Sequence, residues 1–150
     1  MRLEDEIVQK QFRDETHKLG VNLVYTFKWL DAFCQKHFKQ YGITGQQFNI
    51  LRILRGQYPN PATIKLLKER MIDKMSDASR IVEKLRIKGL VDRQISTNDR
   101  RNCDVMISTK GLNLLTEIDK NEKVMDDFFS ALSAKEKKQL NDLLDKLRGT

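Results

Sequence analysis

Apolar positions recur along this chain in two rhythms, and the switch between them marks its organisation. Between residues 4 and 39, Leu23, Phe27, Leu30, Cys34 and Phe38 return every three or four positions, the spacing of one helical face. Tyr25, Trp29 and Phe33 add a second apolar side, so this helix needs more than one neighbour. Gly42 interrupts the pattern. Thr44 followed at the third position by Gln47 predicts a capping box, in which each side chain satisfies the other residue's backbone amide. The second helix that it opens would be buried through Phe48, Leu51 and Leu54, with Ile50 and Ile53 beside them. GQYPNP is turn chemistry: Asn60 is expected to cap a third helix, with Pro61 at the first helical position, where its missing N–H costs nothing. That helix should run roughly from Ala62 to Met71 and bury Ile64, Leu67 and Met71. Ser76 is expected to cap a fourth, with Ala78, Ile81, Val82 and Leu85 inward and Gly89 as its stop.

After Gly89 the period shortens to two. Val91 and Ile95, then Cys103, Val105 and Ile107, alternate with polar neighbours, which predicts two short antiparallel strands around a charged tip. Helical spacing resumes after Gly111. One helix should use Leu112, Leu115, Ile118, Met125 and Phe129, and a last one should open on a Ser133 to Glu136 capping box and carry Leu140, Leu144 and Leu147, with Leu143 alongside. The expected order is α-α-α-α-β-β-α-α, a mainly α (α+β) chain forming a single domain over residues 1–150. A helix-and-wing module would occupy approximately 44–110, flanked by helices over 4–39 and 112–148. Those flanking helices have little central core to join, so burial against a second copy, in a symmetric homodimer, is the expected solution.

Charge sharpens the picture at the wing. The chain carries 28 Lys and Arg against 21 Asp and Glu, a formal charge of +7, which favours anionic partners. The excess is concentrated from Arg80 to Arg101, where Arg80, Lys84, Arg86, Lys88, Arg93, Arg100 and Arg101 face only Glu83, Asp92 and Asp99. A helix and a wing with this footprint suit duplex DNA. No apolar run is long enough to span a bilayer and the start MRLEDEIVQKQFRDE lacks a secretory stretch, so a cytoplasmic protein without a membrane partner is expected. Cys34 and Cys103 match no metal-ligand spacing, and His17 and His37 fall in no hydrolase, kinase or metal motif. With no phosphate-cradling glycine loop either, the chain is read as a non-enzyme without metal or cofactor.

The stretches SDASRIVEKLRIKGLVDR (76–93) and NDRRNCDVMISTKG (98–111) resemble the MarR family of bacterial winged-helix transcription regulators. In that family the recognition helix runs into Gly-Leu-Val-x-Arg, matched by Gly89, Leu90, Val91 and Arg93. The wing tip carries Asp-Arg-Arg, matched by Asp99, Arg100 and Arg101, and a Leu-Thr-x-x-Gly-like ending is matched by Ile107, Ser108 and Gly111. The chain departs at Lys68 and Asp73, where apolar residues are usual, and at Ser108, where threonine is usual. The resemblance implies a winged helix-turn-helix dimer on near-palindromic double-stranded DNA, often a repressor released by a small aromatic effector or by oxidation.

Asp77, Arg80, Lys84 and Lys88 share one face of the fourth helix. Alone, such a stripe reads as a solvated face laced with ion pairs; joined to a wing, it reads as a DNA face. Ser76, Ser79 and Arg80 lie near the helix start, where base edges are met, and Arg80 is the choice for guanine. Lys74 and Lys84 suit phosphates. Arg100 or Arg101 would enter a minor groove while Asp99 holds the other guanidinium, and Arg93 would either touch phosphate or brace the tip. Tyr25, Trp29 and Phe33 are read as dimer core or as the lining of an effector pocket. Cys34 is read as a buried structural thiol or a redox sensor, and Cys103 as buried inward from the second strand. Two other functions fit the composition: an architectural or RNA-binding protein, and a dimeric protein-interaction module using the basic surface for an acidic partner.

Overall fold

The computed structural model describes residues 2–95, 103–121 and 123–149. Its architecture is mainly helical with one small antiparallel sheet. In chain order the elements are α1 (Leu3–Glu6), α2 (Glu15–Lys39), α3 (Gly45–Gln57), β1 (Ala62–Thr63), α4 (Ile64–Arg70), α5 (Ala78–Ile87), β2 (Val91–Ile95), β3 (Cys103–Ile107), α6 (Thr109–Asp119), α7 (Lys123–Phe128) and α8 (Ala134–Leu147).

The centre closes around one core. Ile50, Leu51 and Leu54 of α3, Leu67 of α4, Val82 and Leu85 of α5, Val91 and Val105 of the sheet, and Leu115 of α6 are all essentially inaccessible to water. Both predicted capping boxes are present. Gln47 N–H donates to Thr44 Oγ1 at 3.2 Å while Thr44 N–H donates to Gln47 Oε1 at 3.1 Å, and Ser133 and Glu136 do the same at the start of α8. Gly89 ends α5 with φ 71°, a left-handed conformation that a side chain would strain. Gly111 is required for a different reason. A Cβ there would lie 2.3 Å from the Leu90 carbonyl oxygen, so α6 can start this close to the sheet only without a side chain.

Several boundaries differ from the sequence reading. The N-terminal helix is broken: α1 ends at Glu6, and α2 begins only where the Asp14 carboxylate accepts from His17 N–H at 2.7 Å. Residues 62 and 63 are a strand rather than a helix start. β1 pairs with β3 (Ala62↔Val105), making a three-stranded sheet of order β1-β3-β2, and Thr63 rather than Asn60 caps α4. The sheet captures these two residues because β3 otherwise offers an open edge. The helix expected across Leu112 to Phe129 is two helices, α6 and α7. In the wing, Val91 pairs with Ile107 and is buried, whereas Ile95 pairs with Cys103 and is exposed. The hairpin leaves the core as it extends, so alternation persists while burial fades: Cys103 shares the strand face of Val105 and Ile107 but is only half-buried.

Candidate nucleic-acid interface

Helix α5 is the candidate DNA-facing element. Its apolar face, Ala78, Ile81, Val82 and Leu85, is buried against the core, which turns Ser79, Arg80 and Lys84 outward into solvent. The helix is capped by Asp77, whose carboxylate accepts from Arg80 N–H at 3.0 Å, and not by Ser76. Both residue types cap well, but Ser76 is already engaged: its hydroxyl donates to Asp73 Oδ2 at 2.5 Å and accepts from Gln46 Nε2 at 2.6 Å.

Asp73 organises the whole turn ahead of α5. It accepts from the Ser76 hydroxyl, from Met75 N–H at 3.0 Å and from Gln46 Nε2 at 3.0 Å, and these bonds, Ser76 first, hold its carboxyl below the usual aspartate range. Asn49 of α3 adds a bond from Ile72 N–H to its Oδ1 at 3.0 Å. An apolar residue at position 73 could make none of these contacts, so the departure at Asp73 is a polar lock on the helix-turn-helix angle. Gln46 and Asn49 were not singled out from the sequence; they reach the turn across more than twenty residues of chain, and no local pattern marks them. Lys68 is exposed and borders a shallow groove with Lys65, Glu69 and Lys74, so its charge sits in water. The Lys74 ammonium donates to the Glu69 carbonyl and closes the end of α4. Ser108 caps α6 through Gly111 N–H and donates to the Gly89 carbonyl at 2.8 Å, work that a threonine hydroxyl also does.

Of the two roles open to Arg93, bracing is the one it performs within the chain. Its guanidinium lies 3.7 Å from the Glu83 carboxylate and donates to Cys103 Sγ at 3.4 Å, tying the wing base to α5. Glu83 is shared with Arg86, whose hydrogen bonds are the main reason its pKa is lowered. Lys88, at the end of α5, is tied back within the chain: its ammonium donates to the Gly42 carbonyl at 2.6 Å and to Gln47 Oε1 at 3.0 Å. Asp99, Arg100 and Arg101 lie outside the described residues.

The residues proposed for a signal lie on α2, away from α5 in the sequence. Tyr25 donates to Glu6 Oε2 at 2.6 Å. Trp29 and Phe33 pack on Phe128 of α7, with ring centroids 4.3 and 4.1 Å apart. Burial, then the nearby Asp31 carboxylate, push the Cys34 thiol up. Among the described residues no cluster of His, Cys, Asp and Glu could hold a metal ion, and no helix is long and apolar enough to cross a membrane.

The sequence profile described as MarR family matches residues 43–103, which hold α3, the turn, α5 and the first wing strand. Over that stretch the chain is similar to the MarR family. It is 24% identical over 135 residues to the HTH-type transcriptional regulator MhqR of Bacillus subtilis, covering 89% of this chain and 92% of that one. It is 30% identical over 113 residues to the transcriptional repressor MprA of Escherichia coli, covering 75% of this chain and 64% of that one. Among solved structures, a mutant MarR of Escherichia coli complexed with operator DNA matches with a TM-score of 0.76 at 23% identity, covering 98% of this chain and 99% of that one. The organohalide-sensing regulator RdhR-CbdbA1625, in its 2,4-dichlorophenol-bound form, matches with a TM-score of 0.80 at 20% identity, covering 90% of this chain and 80% of that one. The described elements share the winged helix-turn-helix fold of these structures, mainly helical with a small antiparallel sheet.

Proposed function

We propose that the chain works as a symmetric homodimer on near-palindromic duplex DNA and represses transcription until a small ligand releases it. The observation that carries this reading is the two-sidedness of α5: four apolar side chains fix it to the core, while Arg80 and Lys84 stand in solvent at the helix start and middle. In this reading Arg80 bonds a guanine edge, Ser76 and Ser79 sit beside it, and Asp77 holds the helix start in place. Lys74 and Lys84 neutralise phosphates, Arg93 braces the wing, and Asp99, Arg100 and Arg101 serve the wing tip at the adjacent minor groove. MprA, a repressor, supports the direction of control.

Arg80→Ala and Lys84→Ala separate the roles. Loss of Arg80 should remove roughly 1–3 kcal/mol of discrimination between cognate and noncognate duplexes. Loss of Lys84 should weaken both about equally and lower the slope of log affinity against log salt by about 1. Equal losses of discrimination in both variants would refute the assignment.

For the signal, a small aromatic ligand against Tyr25, Trp29 and Phe33 is better supported than oxidation of Cys34. RdhR-CbdbA1625 takes a chlorinated phenol, and the raised pKa of Cys34 disfavours the thiolate that oxidation requires. Release needs the ligand to bind the DNA-competent and DNA-incompetent states unequally. Trp29 is the single tryptophan, so its fluorescence should change with a phenolic or aromatic-acid ligand at the concentration that releases the operator, and mild oxidation should leave operator affinity unchanged in both the native chain and Cys34→Ser.

A further inference from the structure

Two large apolar side chains stand almost fully in water within the turn that leads into α5: Met75 is 93% exposed and Ile72 is 86% exposed. The other strongly exposed apolar residues of the helices lie mostly on α2, α7 and α8, which have a second copy of the chain as their proposed cover. Met75 and Ile72 do not belong to that surface. They adjoin Lys74, Ser76, Asp77 and Arg80 in the chain, on the strip proposed to approach DNA.

The backbone carrying Met75 is held from several sides. Its own N–H is bound by Asp73 Oδ1, the next residue's hydroxyl is bound by Asp73 and Gln46, and Asp77 then caps α5. A side chain on so fixed a backbone is presented rather than merely loose. Met75 is also the last residue before the Ser76 and Asp77 pair at the helix start, the end of a recognition helix that meets base edges. In a major groove the one apolar feature on a base edge is the C5-methyl group of thymine. An unbranched thioether is polarisable and adapts its length to such a target.

We propose that Met75 is a specificity residue that reads a thymine methyl group beside the base contacted by Arg80. The inference rests on the DNA-docking reading above, and its test is built to fail separately from it. An operator is first recovered with the native chain from random duplexes. Each thymine of a half-site is then replaced in turn by deoxyuridine, which removes only the methyl group, and affinity is measured at fixed salt for the native chain, Met75→Ala and Ile72→Ala.

The native chain should lose about fourfold in affinity at one thymine per half-site, the factor that corresponds to leaving one buried methyl group unburied. Met75→Ala should bind the thymine and deoxyuridine sites equally at that position, while keeping the ordinary dependence on the guanine. Ile72→Ala, three residues back and just past the end of α4, should keep the native methyl dependence. With Met75 in solvent, the alanine variant loses no core packing, so its folding is not in question. The proposal is overturned if no thymine shows methyl dependence, if Met75→Ala retains it, or if Met75→Ala weakens all duplexes alike, which would mark a contact to something other than a base. If the native chain yields no operator at all, the docking reading itself has failed.

Discussion

The centre of the molecule and its flanks solve the problem of burial in opposite ways. Around α3, α5 and the sheet, every large apolar side chain of the core finds its partners within the chain. On α8 no residue is buried, and Leu140, Leu143 and Leu147 face solvent, as do Val24, Phe27 and Trp29 on α2. Both regions carry strong helical periodicity, so periodicity says only that a face will be covered and not by what. The difference separates a module that folds on its own chain from helices whose apolar stripe is proposed to be completed by a second copy.

Paired truncations test that difference most severely. Leu85→Ala, at a fully buried position behind the DNA face, should cost about 2–5 kcal/mol in urea unfolding. Leu143→Ala, at a position 55% exposed in the single chain, should change monomer unfolding by under about 0.5 kcal/mol. Its effect should appear in sedimentation equilibrium, as a dimer dissociation constant raised on the order of tenfold, because both copies lose the side chain. Equal effects on unfolding, with no change in association, would erase the distinction between the regions.

Gly111→Ala sharpens the same comparison from the packing side. With a backbone oxygen 2.3 Å from the new Cβ and Ile107 Cγ1 at 2.8 Å, α6 must shift, and a loss of about 1–3 kcal/mol is expected by thermal or urea unfolding. Gly149, with open space around it, should accept alanine with far less consequence for the core, although its φ of 92° adds local strain.

The smallest effect concerns the turn. Asp73 has a depressed folded-state pKa, so its contribution is complete above the ordinary aspartate range and is lost only as pH falls through that depressed value. Hydrogen exchange at the Met75 amide should therefore stay slow through mildly acidic pH and quicken below it. Asp73→Asn should show faster exchange with no such titration, together with a several-fold weaker operator complex. An unchanged profile in Asp73→Asn would remove Asp73 from the positioning of α5.

The sequence made legible what is local. Both capping boxes, the inward face of α5, the Gly89 stop and the alternating strands follow from spacings of two to four residues, and each is present. What escaped it depends on distant chain. Ser76 and Asp77 are equally good caps until Gln46 and Asp73 claim the serine. The two residues of β1 have meaning only as partners of β3, more than forty positions away. The break between α1 and α2 contains neither proline nor glycine, so only Asp14, as a cap ahead of Glu15, could have marked it. In the proposed interface Arg80 and Lys84 were visible as a charged helical face, whereas the bracing role of Arg93 required Glu83 to be placed beside it, and Met75 carried no charge or motif to draw attention.

Selection of the native chain on a random duplex library, at a salt concentration that suppresses general polyanion binding, tests the central claim most directly. A homodimer presenting two α5 helices should enrich a near-palindrome whose half-site centres lie about one helical turn, roughly 34–36 Å, apart. No enriched motif, or a lone half-site without its inverted repeat, would contradict it.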